Sequence, residues 1–129
     1  MTIHKQDGTP ESIPRHSAMS REAVFARDQW CCVYCGTEGT PETLSVDHVQ
    51  PRMRGGDHSA GNVVTACLPC NARKAHRSHA EFLASEPESW QNFVQRAGYV
   101  WPRHLAAVEA ELAAQGHRKS RRLGERTQP

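Results

Sequence analysis

Four cysteines raise the first chemical question. Cys32 and Cys35 are separated by two residues, Cys67 and Cys70 by two more, and 31 residues lie between the pairs. At that spacing the two sulfurs of each pair can converge on one ion, and two such knuckles suit tetrahedral zinc held by four thiolates. Four cysteines fill the shell and leave no position for water, so such a zinc is structural and not the reactive centre. Cys31 adjoins the first pair. Pairing Cys31 with Cys35 is a less usual alternative; Cys32 is favoured as the ligand, with Cys31 as a small packing residue.

The loop closed by this metal carries a second set of residues: Asp47, His48, Asn62 and Asn71. Asp47 and His48 are neighbours in "LSVDHV", and neighbours on a strand point to opposite faces, so they are expected to do different work. Each residue has an ordinary explanation when taken singly. Asp47 can decorate a surface, Asn62 can turn the chain, and Asn71 can cap a helix. Together they supply hard oxygen ligands, an imidazole that titrates near neutrality and an amide to orient it, a set suited to phosphodiester cleavage. Arg52, Arg54, Arg73, Lys74 and Arg77 stand close in sequence as candidate phosphate contacts. His58, His76 and His79 read as surface or helix histidines, because they lie among polar residues.

These residues need elements to hold them. Ser20 is a candidate cap for a short helix leading to the cysteines, with Glu22 in its first turn. "TLSVDHV" is the best strand candidate and "NVVTAC" the second, pairing back across "PRMRGGDHSAGN", a loop in which Gly55 and Gly56 permit positive φ. "NARKAHRSHAEFLA" has no Gly or Pro, so a helix starting near Asn71 is expected to run through it. "PRHLAAVEAELAAQG" predicts a further helix, Pro102 in its first turn, Gly116 at its end and Leu105, Val108 and Leu112 on its packing face. The organisation expected is a flexible leader over 1–19, a compact domain over 20–78, a helical extension over 79–116 and a mobile basic tail over 117–129.

Composition narrows the class. The chain has 129 residues, of which 37% are hydrophobic and only 6% aromatic, a thin apolar supply that a bound metal would supplement. No run approaches the roughly 20 apolar residues of a membrane span, and the N-terminus lacks the apolar core of a secretory signal, so a cytoplasmic location is expected. Five cysteines then favour metal binding over disulfides. The formal charge of +2 would fall to zero with four thiolates on one zinc, so net charge says little about partners. Its distribution says more, since Arg and Lys outnumber Asp in 47–77 and outnumber Glu in 118–126.

The ordered motifs "CVYCG" at 32–36, "VDHVQPRMRGG" at 46–56, "GNVVTAC" at 61–67 and "CNARK" at 70–74 resemble those of the HNH endonucleases in their zinc-knuckle form. The resemblance covers roughly residues 20–78 and implies an α+β fold, a small ββα-metal core of β-hairpin plus helix stapled by a four-cysteine zinc site, with flanking helices. It implies that His48 is the general base activating water and that Asn62 orients it and holds the loop. It implies further that Asp47 and Asn71 hold the catalytic ion, and that Cys32, Cys35, Cys67 and Cys70 hold zinc. Asp47 stands where some members have His, and Asn71 where the motif's third letter would be His; both harden the site towards Mg2+ or Mn2+. The implied reaction is metal-dependent hydrolysis of DNA, double-stranded in the first instance. Two alternatives stand beside it: a noncatalytic zinc module that binds nucleic acid, and a nuclease of the same fold directed at RNA.

Overall fold

The computed structural model describes residues 14–126, with side chains through Gly116. Ser20 caps α1 (Arg21–Arg27), its hydroxyl accepting from the Ala23 amide at 3.1 Å, and the helix buries Val24 and Phe25. Gln29 and Trp30 follow with φ of 58° each, a left-handed reversal that sends the chain into the first cysteine pair. β1 (Leu44–His48) pairs antiparallel with β2 (Val63–Cys67), Leu44 opposite Cys67 and His48 opposite Val63. All five β2 residues are buried, because α1 packs on the hairpin and α2 (Leu68–Lys74) packs on it as well. This hairpin and helix form the expected α+β core.

Beyond it lie α3 (His79–Ala84), α4 (Pro87–Arg96) and α5 (Pro102–Arg126), with α5 packed along α3. Tyr34 joins them to the knuckle, stacked on Phe93 with ring centroids 5.8 Å apart and edge-on to Phe82 at 5.3 Å. A buried polar network ties α1 to β2. Arg27 donates to the carbonyls of Ala60 and Val63 at 2.9 and 2.7 Å, and the Asp28 carboxylate accepts from Tyr99 Oη at 2.7 Å and from the Thr65 amide at 3.0 Å. Since every charge in it is paired and bonded, the network is tolerable in a dry interior.

The expected helix from Asn71 onward is corrected in two ways. It starts at Leu68, with Cys67 at its N-cap and Pro69 in the first turn, where a missing amide costs nothing. It also stops at Lys74, since Ala75 adopts φ 50° and Ser78 opens a new helix. Ser78 and Glu81 form a reciprocal capping box there, a signal present in the sequence as Ser-x-x-Glu. Gly116 does not end the last helix, which continues through Arg126, and Val108 is fully buried on its packing face while Leu112 is exposed.

The expected leader divides. Residues 1–13 lie outside the described residues, as do the basic side chains of the tail. Residues 15–19 are fastened to the loop before β2: Met19 donates to the His58 carbonyl at 3.0 Å, Ala60 to Ser17 at 2.8 Å and Gly61 to Arg15 at 2.9 Å. Among the described residues no helix is long and apolar enough to cross a membrane.

Candidate active site and metal centre

The four knuckle cysteines meet. One sulfur from each of Cys32, Cys35, Cys67 and Cys70 lies within 4.8 Å of the others, and Cys35 Sγ is 3.7 Å from Cys67 Sγ. Tetrahedral zinc with Zn–S of about 2.3 Å has sulfurs about 3.8 Å apart, so the cluster can hold such an ion. The arrangement follows from local structure. The first knuckle is closed by Cys32 donating to the Thr37 carbonyl and Gly36 to the Cys32 carbonyl, with Gly36 at φ 79°. The second pair spans the N-cap and first turn of α2, where two residues of separation bring the sulfurs to one side.

Electrostatics agree with an ion-ready cluster. Burial pushes the Cys32 thiol up to about 11. The Cys70 thiol is raised further, by burial and by the neighbouring sulfurs, because four bare thiolates repel one another. Cys35 is the exception: burial pushes it up, but hydrogen bonding to Thr37 and the neighbouring thiols outweighs this and lowers it to about 7. A divalent cation removes that repulsion in exchange for the protons. Cys31 stays outside the cluster, its sulfur 3.3 Å from the Gln29 carbonyl.

The second set is arranged differently. On one face of β1, Asp47 is buried and receives Lys74 Nζ on both oxygens, at 3.0 and 2.8 Å, while Tyr34 Oη donates to Oδ2 at 2.6 Å. Two residues back on that face, Ser45 Oγ accepts from Asn71 Nδ2 at 3.4 Å. Asn71 and Lys74 are one helical turn apart on α2, so helix and strand align as two parallel pairs. Ser45 and Asp47 are therefore about 6.6 Å apart along the strand, and Asn71 is not beside Asp47. On the other face, half-buried His48 places Nε2 3.1 Å from His58 Nδ1. Burial, together with His58, Arg52 and Lys74, pushes the His48 pKa below the ordinary histidine value, against an opposing pull from Asp47. At neutral pH its ring is thus held in the unprotonated, base-competent form.

Asn62 is fully buried and every polar valence of its amide is used. Oδ1 accepts from the Gln50 amide at 2.9 Å and from His104 Nε2 at 3.0 Å, while Nδ2 donates to the carbonyls of Gln50 at 3.1 Å and Asp57 at 2.9 Å. These bonds tie it to the loop at Gln50 and Asp57. None of these bonds goes to His48; the connection is through backbone, Val49 donating to the Asn62 carbonyl at 2.8 Å. Arg52 and Arg54 are exposed on a 3-10 turn, and Arg73 and Arg77 are exposed but lean towards Glu86 at 3.6 and 3.9 Å. Lys74 is the correction among the basic residues: it is buried against Asp47 and does not present its ammonium to a phosphate.

The family model of the HNH endonucleases matches residues 32–85. Over that segment the chain is similar to the HNH endonucleases. No curated protein matches the chain. The HNH match runs from the first knuckle through α3 and leaves out α1, α4 and α5. The enzymes of the family that this segment resembles act on nucleic acid.

Four contributors carry little or no signal in the sequence. His58 reads as a surface histidine, yet it is the partner of His48. Tyr34, between the knuckle cysteines, gives no local hint of its bond to Asp47. The Arg27–Asp28 pair resembles any helix end. His104 has one usable cue: it precedes Val108 by four residues, so it falls on the buried stripe of α5.

Proposed function

We propose that this chain is a metal-dependent endonuclease hydrolysing DNA phosphodiester bonds, with His48 as the general base. The observation that carries the reading is the placement of His48 at the end of β1, with Nε2 engaged by His58 and Nδ1 without a partner among the described residues. If Nε2 carries the hydrogen and donates to His58, Nδ1 is left as an acceptor able to take a proton from water. General-base help of this kind contributes roughly 10²- to 10⁴-fold.

Asp47 and Asn71 are the residues we assign to Mg2+ or Mn2+. Their oxygens suit a hard cation, and Asp47 already binds a positive charge, with Lys74 Nζ as the stand-in. When bound, the ion supplies neutralisation of phosphate charge and a stabilised leaving oxygen. Lys74 must yield its place, and Asn71 must turn from Ser45. Cys32, Cys35, Cys67 and Cys70 would hold a structural zinc that joins the first knuckle to the junction of β2 and α2, and Arg52, Arg54, Arg73 and Arg77 hold the phosphate backbone without choosing sequence. The free cysteines suit a reducing, cytoplasmic setting.

The experiment is incubation of supercoiled plasmid, and in parallel of structured RNA, with Mg2+ or Mn2+. Conversion of plasmid to open circles by the parent and not by His48→Ala supports the proposal. Plasmid left supercoiled with either ion, or equal activity of the variant, sinks it; cleavage of RNA alone transfers it to the other substrate. A noncatalytic zinc module is the second reading, favoured by the closure of Asp47 between Lys74 and Tyr34, and inert nucleic acid in every arm would select it.

A further inference from the structure

The most heavily bonded residue of the HNH core is held from outside it. Three contacts reach the loop between the strands from residues 101–104, all beyond the segment that matches the family. The Trp101 amide donates to the Gly61 carbonyl at 3.0 Å, Arg103 Nη2 to Gln50 Oε1 at 2.7 Å, and His104 Nε2 lies 3.0 Å from Asn62 Oδ1. Gly61 is shaped by the same approach, since a Cβ there would lie 2.5 Å from Trp101 Cδ1.

The direction of the His104 bond is fixed by its neighbours. Asn62 Oδ1 faces the Gln50 amide, a donor only, so that atom is an oxygen and His104 must donate from Nε2. His104 therefore carries a hydrogen on Nε2, and its lowered pKa makes the ring neutral near pH 7. Burial, helped by Arg103 and Lys74, holds it so by lowering its pKa to about 4. With that bond made, Asn62 spans Gln50, Asp57 and α5 at once.

We infer that His104 is a positioning residue for the active site: through Asn62 it sets the loop that begins at Val49, the residue after His48. The C-terminal helix is thus part of the nuclease machinery. The inference rests on the proposed function for its catalytic consequence and on geometry alone for its effect on the loop, so it is tested by two readouts on the full-length, zinc-loaded chain.

The first is amide hydrogen exchange at residues 50–62. His104→Phe, which keeps a ring but removes the donor, is expected to speed exchange there by roughly 10-fold or more while leaving α1 unchanged. His104→Gln, which restores a donor, is expected to recover most of the protection. The second is plasmid nicking. His104→Phe should lower kcat roughly 10- to 100-fold with KM for DNA little changed, as a displacement near 1 Å does in other sites. Asn62→Ala combined with His104→Phe should be no slower than Asn62→Ala alone. Unchanged exchange in both variants, or additive losses in the double variant, would overturn the inference. Should His104→Phe not fold, His104→Met, which also removes the donor, makes the same comparison, alone and with Asn62→Ala. A parent without nicking activity defeats the proposed function but leaves the exchange result to decide the role of His104.

Discussion

The cysteine cluster and the Asp47–His48 site lie at opposite ends of one hairpin and are built on opposite principles. At the Leu44–Cys67 end, four sulfurs crowd together with hydrogen-bond partners such as the Tyr34 amide and the Thr37 hydroxyl beside them, and burial and repulsion raise the Cys32 and Cys70 thiols. At the His48–Val63 end, every group already has a partner: Asp47 has Lys74 and Tyr34, His48 has His58, and Asn62 has four bonds. The first site is arranged so that it could take a cation. The second is complete without one, and chemistry there must displace something. A structural and a working metal site would differ in this way for a physical reason, because a permanent ligand set gains by having no internal alternative, whereas a site that turns over needs one.

The largest expected effect falls on the cysteine side. Cys67→Ser should release zinc and abolish cooperative unfolding, since structural zinc contributes on the order of 10 kcal/mol to domains of this kind. Elemental analysis with a thermal melt checks it, and a melt that survives without metal would erase the contrast between the two ends. Next comes His48→Ala, expected to lower plasmid nicking roughly 10²- to 10⁴-fold while leaving zinc content and melting temperature as they were. Loss of zinc in that variant would mean that the two ends are not independent.

Lys74→Met probes whether the acid face is complete by itself. Removing one partner leaves the Asp47 carboxylate buried and unpaired, at a cost of about 3 kcal/mol by denaturant unfolding. If Lys74 also stands where the ion must enter, nicking per folded molecule should reach half-maximum at lower Mg2+ than in the parent. A variant as stable as the parent would show that the pair is dispensable.

The smallest effect is a pH dependence. His104 is buried with its folded pKa lowered to about 4, below the value near 6.5 of an unfolded histidine. The unfolded chain therefore binds a proton that the folded chain refuses, so stability is full above about pH 6.5 and declines as pH falls towards about 4. The loss is on the order of 2 kcal/mol for this one residue. Urea unfolding of the parent and of His104→Gln at matched zinc isolates it, because acid loss of zinc is common to both, and parallel curves would show that His104 takes up its proton in the folded state.

Some of the fold was legible because the signals were local. Ser20 followed by Glu22 announced α1, and "LSVDHV" and "NVVTAC" announced the hairpin. Other features were legible but misjudged. Two glycines in a row suggested two positive φ angles, yet only Gly55 adopts one, at 89°. Gly56 is required for space: a Cβ there would collide with the Gln50 carbonyl and lie 2.9 Å from Asn62 Nδ2. The break between α2 and α3 was missed because helix-forming residues outvoted a capping box that was in plain view.

The sequence by itself determined which atoms could do chemistry: cysteine spacing specified a shared ion, and alternation along β1 required Asp47 and His48 to face different ways. Those are consequences of covalent geometry, fixed within a few residues. Tertiary structure alone decided what each polar group meets once it is turned inward. Lys74, 27 residues from Asp47, became its counter-ion and ceased to be a surface cation. His58 came to His48 across a loop, and His104 came to Asn62 from a helix 42 residues away. Buried polar groups must find partners wherever the packed chain places them, and no local pattern encodes which partner arrives.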